Sequence, residues 1–354
     1  MESETTFAFI MAGGSGERFW PMSRRSLPKH LLRLLDDRTL LETTVRRLEG
    51  LVPPERTFIL TNEAQLAATR AAVPFVPPGN IIAEPAKRDT APACALATAV
   101  ARVQNPEAVC IVLPADAMIH DTVKFRTQLG DAVHAAAGGA IATLGIPPSF
   151  PATGYGYLEA GEALPQGPGG SRTNKLRRFV EKPDREAAES YVRQGNFFWN
   201  TGIFVWKAST FLDEARRQLP ALADFIEALD SFDGLPELLS TRFAALPKIS
   251  VDYAIMENAR DVVAVMAEFD WDDVGAWTAL PAHIPADADG NCSRGAVVQH
   301  GSSGNIAVSN GRMIALCGVE GLVVVETPDA VLVCSKDAVQ KVKELQPLLG
   351  EELK

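Results

Sequence analysis

Residues that could handle phosphate are concentrated near the start of the chain. Phe7-Ala-Phe-Ile-Met-Ala12 is an apolar run that empties into Gly13, Gly14, Ser15 and Gly16. Glycine gives a backbone access to positive φ and lets its N–H groups close on an anion with no Cβ in the way. Arg18, Arg24, Arg25 and the lysine of Pro28-Lys29 add fixed positive charge around that concavity. Residues of these types at this spacing form a cradle for a polyphosphate.

Two familiar cradles do not fit. A P-loop needs Gly-x-x-x-x-Gly-Lys-Ser/Thr, which the chain lacks. A dinucleotide fingerprint needs a third glycine and an immediate helix. Here Glu17-Arg18-Phe19 follows Gly16, and Trp20-Pro21 stops a helix from starting.

The elements that must hold this loop can be read from the hydrophobic pattern. Strands are expected at 7–12, 57–61, 108–113 and 140–145. Thr39-Leu-Leu-Glu42 is a capping box opening a helix with Leu41, Val45 and Leu48 on one face and Gly50 beyond its end. A second helix is expected over 90–103, capped by Asp89 or Thr90, with Pro92 in its first turn. Val123, Phe125, Leu129 and Val133 predict a third. This alternation implies an α/β, mostly parallel sheet with helices on both faces, where ligands sit at the carboxyl ends of strands.

The middle adds expected strands at 154–159, 175–182, 198–206 and 262–269, and helices at 184–194, 209–218, 220–230 and 251–259. No clean linker interrupts it, so 1–285 reads as one domain and 286–354 as a second, small, β-rich one. There Ile306/Val308, Ile314/Leu316, Val323/Val325 and Val331/Val333 recur every eight or nine residues, predicting a short all-β roll or β-helix. An amphipathic helix from Lys336 to Leu349, with Val339, Val342 and Leu345 inward, closes the chain. The role expected for this module is scaffolding or dimerisation.

Bulk properties exclude several function classes. The formal net charge is -10, which disfavours a nucleic-acid surface but leaves room for a small polyanion held by local cations. Five scattered cysteines (Cys94, Cys110, Cys292, Cys317, Cys334) form no Cys-x-x-Cys pair, and the histidines have no metal-ligand spacing. No apolar run reaches the ~18 residues of a membrane span. Met1-Glu-Ser-Glu-Thr5 lacks the basic flank and apolar stretch of a secretory leader. A cytoplasmic protein with reduced thiols is expected, binding neither membrane nor nucleic acid.

Gly-Gly-x-Gly-x-Arg-x-Trp-Pro-x-Ser-Arg followed by Pro-Lys resembles the signature of the sugar-1-phosphate nucleotidylyltransferases, and Phe19-Trp-Pro-Met-Ser-Arg24 is similar to the mannose-1-phosphate guanylyltransferase branch. The likeness spans about 7–340. It implies a Rossmann-like nucleotidyltransferase fold, a mostly parallel mixed sheet flanked by helices, with a small C-terminal β module. It also implies a homodimer that turns mannose 1-phosphate and GTP into GDP-mannose and diphosphate. Both reactants of such a transfer are anions, so cations and positioning are required and a covalent nucleophile is not. Mg²⁺, a hard cation usually held by one or two carboxylates plus phosphate oxygens, suits the task.

The resemblance assigns roles residue by residue. Ala12, Gly13, Gly14, Ser15 and Gly16 would hold the nucleotide, with Arg18 on the departing diphosphate and Lys29 on the α-phosphate. Asp116, at the carboxyl end of the run Val109-Cys-Ile-Val-Leu-Pro-Ala-Asp116, and Asp273, in Phe269-Asp-Trp-Asp-Asp-Val-Gly275, would ligate the metal, with Asp272 as the register alternative. In Val180-Glu-Lys-Pro183, Glu181 would take the sugar hydroxyls and Lys182 the sugar phosphate. Gly154, Tyr155, Asn200 and Thr201 lie in segments matching sugar-binding ones, and Asn200 could both donate to and accept from a hydroxyl. Glu84, with Arg88 and Thr90 close by, faces the base question: a carboxylate can accept from both N1–H and N2–H₂ of guanine, which uracil and thymine cannot match. The chain departs from the family's habits at His30 (commonly Gln), Asp89 (commonly Asn) and Ala117 (often His). Open alternatives are another sugar phosphate, of glucose or manno-heptose type, or a nucleotide-sugar sensor without turnover. The sensor is disfavoured because Lys29, Asp116 and Lys182 are all present.

Overall fold

A computed structural model describes residues 2–354; Met1, the first residue of the acidic N-terminal segment, lies outside the described residues. The strands are β1 Thr6–Met11, β2 Thr57–Asn62, β3 Ile81–Glu84, β4 Val109–Pro114, β5 Ile141–Ile146, β6 Tyr157–Leu164, β7 Thr173–Val180, β8 Phe197–Lys207 and β9 Val262–Met266. Among the described residues these form one nine-stranded sheet ordered β3-β2-β1-β4-β8-β5-β9-β7-β6. The β3-β2-β1-β4 side is parallel, while β8 runs antiparallel to both β4 and β5. The sheet is therefore mixed, and its parallel character is concentrated where the glycine loop leaves β1.

Successive side chains on a strand point to opposite faces, and both faces of β1 are buried. Phe7 and Phe9 pack against the Ala-rich helix Thr90–Gln104 and the rings of Phe58 and Trp206. Ala8 and Ile10 face Leu41 and Val45 of helix Leu40–Arg47 and Phe125 and Leu129 of helix Thr122–Ala137. The caps form as expected: Thr39 accepts from the Glu42 amide (3.0 Å) and Asp89 from the Thr90 amide (2.8 Å). Val123 does not join the buried face; it lies in the first turn, 68% exposed. β3 and the helices Leu66–Ala72 and Leu235–Arg242 go beyond the sequence expectation, being short or weakly periodic. Among the described residues no helix is long and apolar enough to cross a membrane.

The C-terminal module holds β10 Cys292–Arg294, β11 Val297–His300, β12 Ile306–Ser309, β13 Ile314–Cys317, β14 Leu322–Glu326 and β15 Val331–Ser335. Parallel rungs β10-β12-β14 stack in register, with β11-β13 alongside, as in a short β-helix. β15 turns back antiparallel on β14 and pairs Leu332 with Val325, so Leu332 is buried. The recurring pair Val331 and Val333 faces outward, 53% and 60% exposed. The closing segment Lys336–Leu348 is a 3₁₀-helix. Its apolar residues recur every three positions, which matches a three-residue turn better than an α-helix. A third core joins this module to the front of the nine-stranded sheet, placing Val339, Val342, Val323 and Leu332 against Phe19, Trp20 and Trp277.

Candidate active site

At the carboxyl end of β1 the chain enters the glycine loop, a 3₁₀ turn over Glu17–Phe19, and a second over Lys29–Leu31. Gly16 has φ +63°, and a Cβ there would lie 2.5 Å from the Lys29 backbone nitrogen. Only glycine permits both the conformation and the contact. Lys29 is thereby pressed into the base of the cleft, its side chain 9% exposed, its ammonium 2.9 Å from Asp116 Oδ2 and bonded to the Asp273 carbonyl. Arg18 stays exposed at the rim, reaching the Gly275 carbonyl at 3.5 Å. Ala12 lies beneath the loop and lines neither of the lobes described next: its N–H goes to the Leu60 carbonyl, and its carbonyl accepts from the Thr61 hydroxyl.

Arg24 and Arg25 do not join the cradle. Arg24 is paired with Asp329 (3.0 Å) and Arg25 with Glu351 (2.7 Å). Their charge ties the loop to the C-terminal module, a partner that lies some 300 residues away in sequence and is invisible to local reading.

Gly16, Lys29, Pro114 and Asp116 form the waist of a cleft with two lobes. The larger, about 510 Å³, contains Asp116, Asp273, Tyr155, Glu181, Asn200 and Thr201. The smaller, about 330 Å³, contains Gly13, Gly14, Glu84, Arg88, Thr90 and His30. Gly154 and Ser15 line the larger lobe.

Of the two register alternatives, Asp273 faces the larger lobe. Asp272 has both oxygens engaged, one on the Val274 amide (2.7 Å) and the other on His283 (3.1 Å). A backbone bridge between Met118 and Asp272 clamps the two acid-bearing loops together. Tyr155 donates to Asp273 Oδ1 at 2.6 Å, so it holds the acid in place. Burial pushes the Asp273 carboxyl above its ordinary range, against the pull of Tyr155 and Lys29. No histidine or cysteine lines the larger lobe, and its two converging carboxylates are a donor set for a hard divalent cation completed by substrate oxygens. Among the described residues no cluster of three or more His, Cys, Asp or Glu is placed to hold a metal by itself.

Glu181 lines the same lobe, and Lys182, which does not line it, is exposed beside it with Nζ 2.6 Å from Glu181 Oε1. A Cβ on Gly156 would fall 2.7 Å from Glu181 Oε2, so this glycine is what lets the carboxylate approach the floor of the lobe. β8 uses four residues where β5 uses two, and this bulge turns Asn200 and Thr201 inward. The Asn200 amide oxygen accepts from Thr143 (3.2 Å) and Gly202 (3.1 Å), leaving its NH₂ for the cleft. The expected two-way partner of a hydroxyl is thus a donor. The Thr201 hydroxyl is committed to the Leu144 carbonyl. Asp252 was missed by sequence reading; burial, then the charge of Glu181, raises its carboxyl to about 6. Its motif carries no signal, being a single acid in a short helix.

In the smaller lobe Glu84 ends β3 with Oε1 buried and unpartnered, and burial pushes its carboxyl up to about 8. His30 lines this lobe, and burial draws its ring down to about 4, so it stands there neutral. The Thr90 hydroxyl accepts from the Val251 amide (2.8 Å), linking this lobe to the Asp252 segment, and Arg88 bonds the Ala244 carbonyl in the turn Phe243–Ala245. The non-glycine residues with positive φ, Asp89 (69°), Lys182 (45°) and Val274 (46°), all adjoin the cleft. Such backbone costs about 1–3 kcal/mol each and persists where surrounding structure holds it.

Residues 7–289 match the family model for nucleotidyl transferases, and residues 295–347 match that of the mannose-phosphate isomerase/GMP-like β-helix domain. A mannose-1-phosphate guanylyltransferase of Escherichia coli K12 is 38% identical over 98% of this chain and 73% of its own length. One from Klebsiella pneumoniae is 39% identical over 97% of the chain and 73% of its length. A solved structure from Thermus thermophilus, described as a mannose-1-phosphate geranyltransferase, superposes with a TM-score of 0.88 at 38% identity, covering 97% of this chain and 99% of that one.

Proposed function

Because the chain belongs to the nucleotidyl transferase family, we propose that it joins mannose 1-phosphate to GTP, giving GDP-mannose and diphosphate. The observation that carries this reading is the division of labour between the lobes. One holds a buried, unpartnered carboxylate suited to the donor edge of guanine. The other holds an acid for vicinal hydroxyls with an ammonium beside it. The waist between them carries Lys29, where the reacting phosphates would meet.

In this account the glycine loop and Arg18 grip the β- and γ-phosphates, and Glu84 accepts from N1–H and N2–H₂ of the base. Lys29 neutralises the α-phosphate. Glu181 and the Asn200 NH₂ orient the sugar, while Lys182 exchanges Glu181 for the sugar phosphate and aims its oxygen at the α-phosphorus. That oxygen forms the new P–O bond as the bond to the β-phosphate breaks in line behind it, and diphosphate leaves with the charge. A Mg²⁺ held by Asp116 and Asp273 would supply further charge neutralisation at the phosphates. Tyr155 keeps the Asp273 carboxylate turned toward the lobe.

Diphosphate release measured across a panel of nucleotides and sugar phosphates, with Mg²⁺ present, tests the reading. GTP with mannose 1-phosphate should give the highest kcat/KM. Release that is faster with a glucose or manno-heptose phosphate, or with UTP, would contradict it.

A further inference from the structure

The closing 3₁₀-helix of the C-terminal module runs along the rim of the phosphate loop. In a 3₁₀-helix residues three apart stack above one another. Val339 and Val342, each 3% exposed, form the row that is buried against Phe19 and Trp20. Packing of that row fixes the rotation of the helix and sends the next row, Gln340, Lys343 and Gln346, toward the cleft. Gln340 lines a cavity with Arg18 and Asp273, and Lys343 lines the larger catalytic lobe with Gly16 and Arg18. Gln346 lines a third recess with Ser15 and Arg25. The helix rests on the Glu17–Phe19 turn itself. Trp20 Nε1 donates to the Leu353 carbonyl at 3.0 Å, and the Arg25 amide to the Lys354 carbonyl at 2.9 Å.

The larger lobe is lined by three cations, Arg18, Lys29 and Lys343, while Lys87, Arg88 and Lys248 line the smaller one. Lys29 is engaged by Asp116, and Arg24 and Arg25 by Asp329 and Glu351. Among the described residues Lys343 has neither an ion-pair nor a hydrogen-bond partner, and it is exposed to the lobe. From the co-lining of one cavity by Lys343, Arg18 and the glycine loop, we infer that the C-terminal module completes the active site. Lys343 acts with Arg18 as a catalytic cation on the β- and γ-phosphates of the nucleotide and on the departing diphosphate. The module is then part of the catalytic machinery as well as a scaffold. This rests on the guanylyl-transfer reading above.

The reverse reaction separates the two ideas, because diphosphate occupies Lys343's part of the lobe and GDP-mannose does not. In Lys343→Ala the KM for diphosphate, and for GTP in the forward direction, should rise about tenfold or more, the size of a lost charge-assisted hydrogen bond. The KM for GDP-mannose should stay within about twofold, and Lys343→Arg should recover most of the loss. An unchanged KM for diphosphate would overturn the inference, as would an equal rise for GDP-mannose. Wild-type protein that forms no GTP from GDP-mannose and diphosphate would overturn the guanylyl-transfer reading and this inference with it.

Discussion

Glu84 shows how one buried side chain couples base recognition to pH. Its carboxyl titrates near 8 because burial, with no partner for Oε1, disfavours the charge. Only the ionised form accepts both donors of guanine, so GTP binding should tighten as pH rises through about 8. Calorimetric GTP titrations between about pH 6.5 and 8.5 should show this for wild type, and Glu84→Gln should bind more weakly with a flat profile. Stability runs the other way. The unfolded chain ionises this group from about 4.5 and the folded chain from about 8. Its contribution to stability therefore falls as pH rises between those values and is level above them. At this scale the sequence was informative about residue types: glycines, Lys29, Glu84, Glu181 and the acid-bearing strand ends all reach the cleft. It was silent on pairing. Nothing local says that Arg24 is engaged by Asp329, that Tyr155 holds Asp273, or that Asp252 meets Glu181.

The elements convert those residues into geometry, and the Gly16 turn does so most directly. A methyl at Gly16 would collide with Lys29 Cβ and backbone nitrogen at 2.5 Å while holding a φ of +63°. Gly16→Ala should lower kcat by about a hundredfold, since an ångström's displacement of a positioned group costs about that much. It should also lower the urea-unfolding free energy by about 1–2 kcal/mol. An unchanged kcat would mean that Lys29 is not held by this contact. Helix caps at Thr39 and Asp89 and the long strands were legible because capping and periodicity are local physics. The four-residue β3 and the inward face of β15 were not. Their register comes from neighbours, and pairing Leu332 with Val325 turns Leu332 inward and Val331 and Val333 outward. The final helix was visible as amphipathic, and its three-residue spacing was the overlooked sign of a 3₁₀ turn.

At the scale of the molecule, two modules meet at a core that belongs to neither alone. Trp277 donates from Nε1 to the Trp20 carbonyl at 3.2 Å across 257 residues, and Val339 and Val342 close the same core. Recurring valines announced a β module, but a one-dimensional pattern does not reveal that its last helix lies beside the phosphate loop. The central claim is spatial: guanine in Glu84's lobe, the diphosphate bridge at Gly16 and Lys29, mannose against Glu181 and Asn200. A crystal structure of the protein with GDP-mannose measures that arrangement directly. The account predicts the guanine N1–H and N2–H₂ on the Glu84 carboxylate and two mannose hydroxyls on Glu181. Guanine bound in the larger lobe, or a nucleotide sugar bound away from the Lys29 waist, would contradict it.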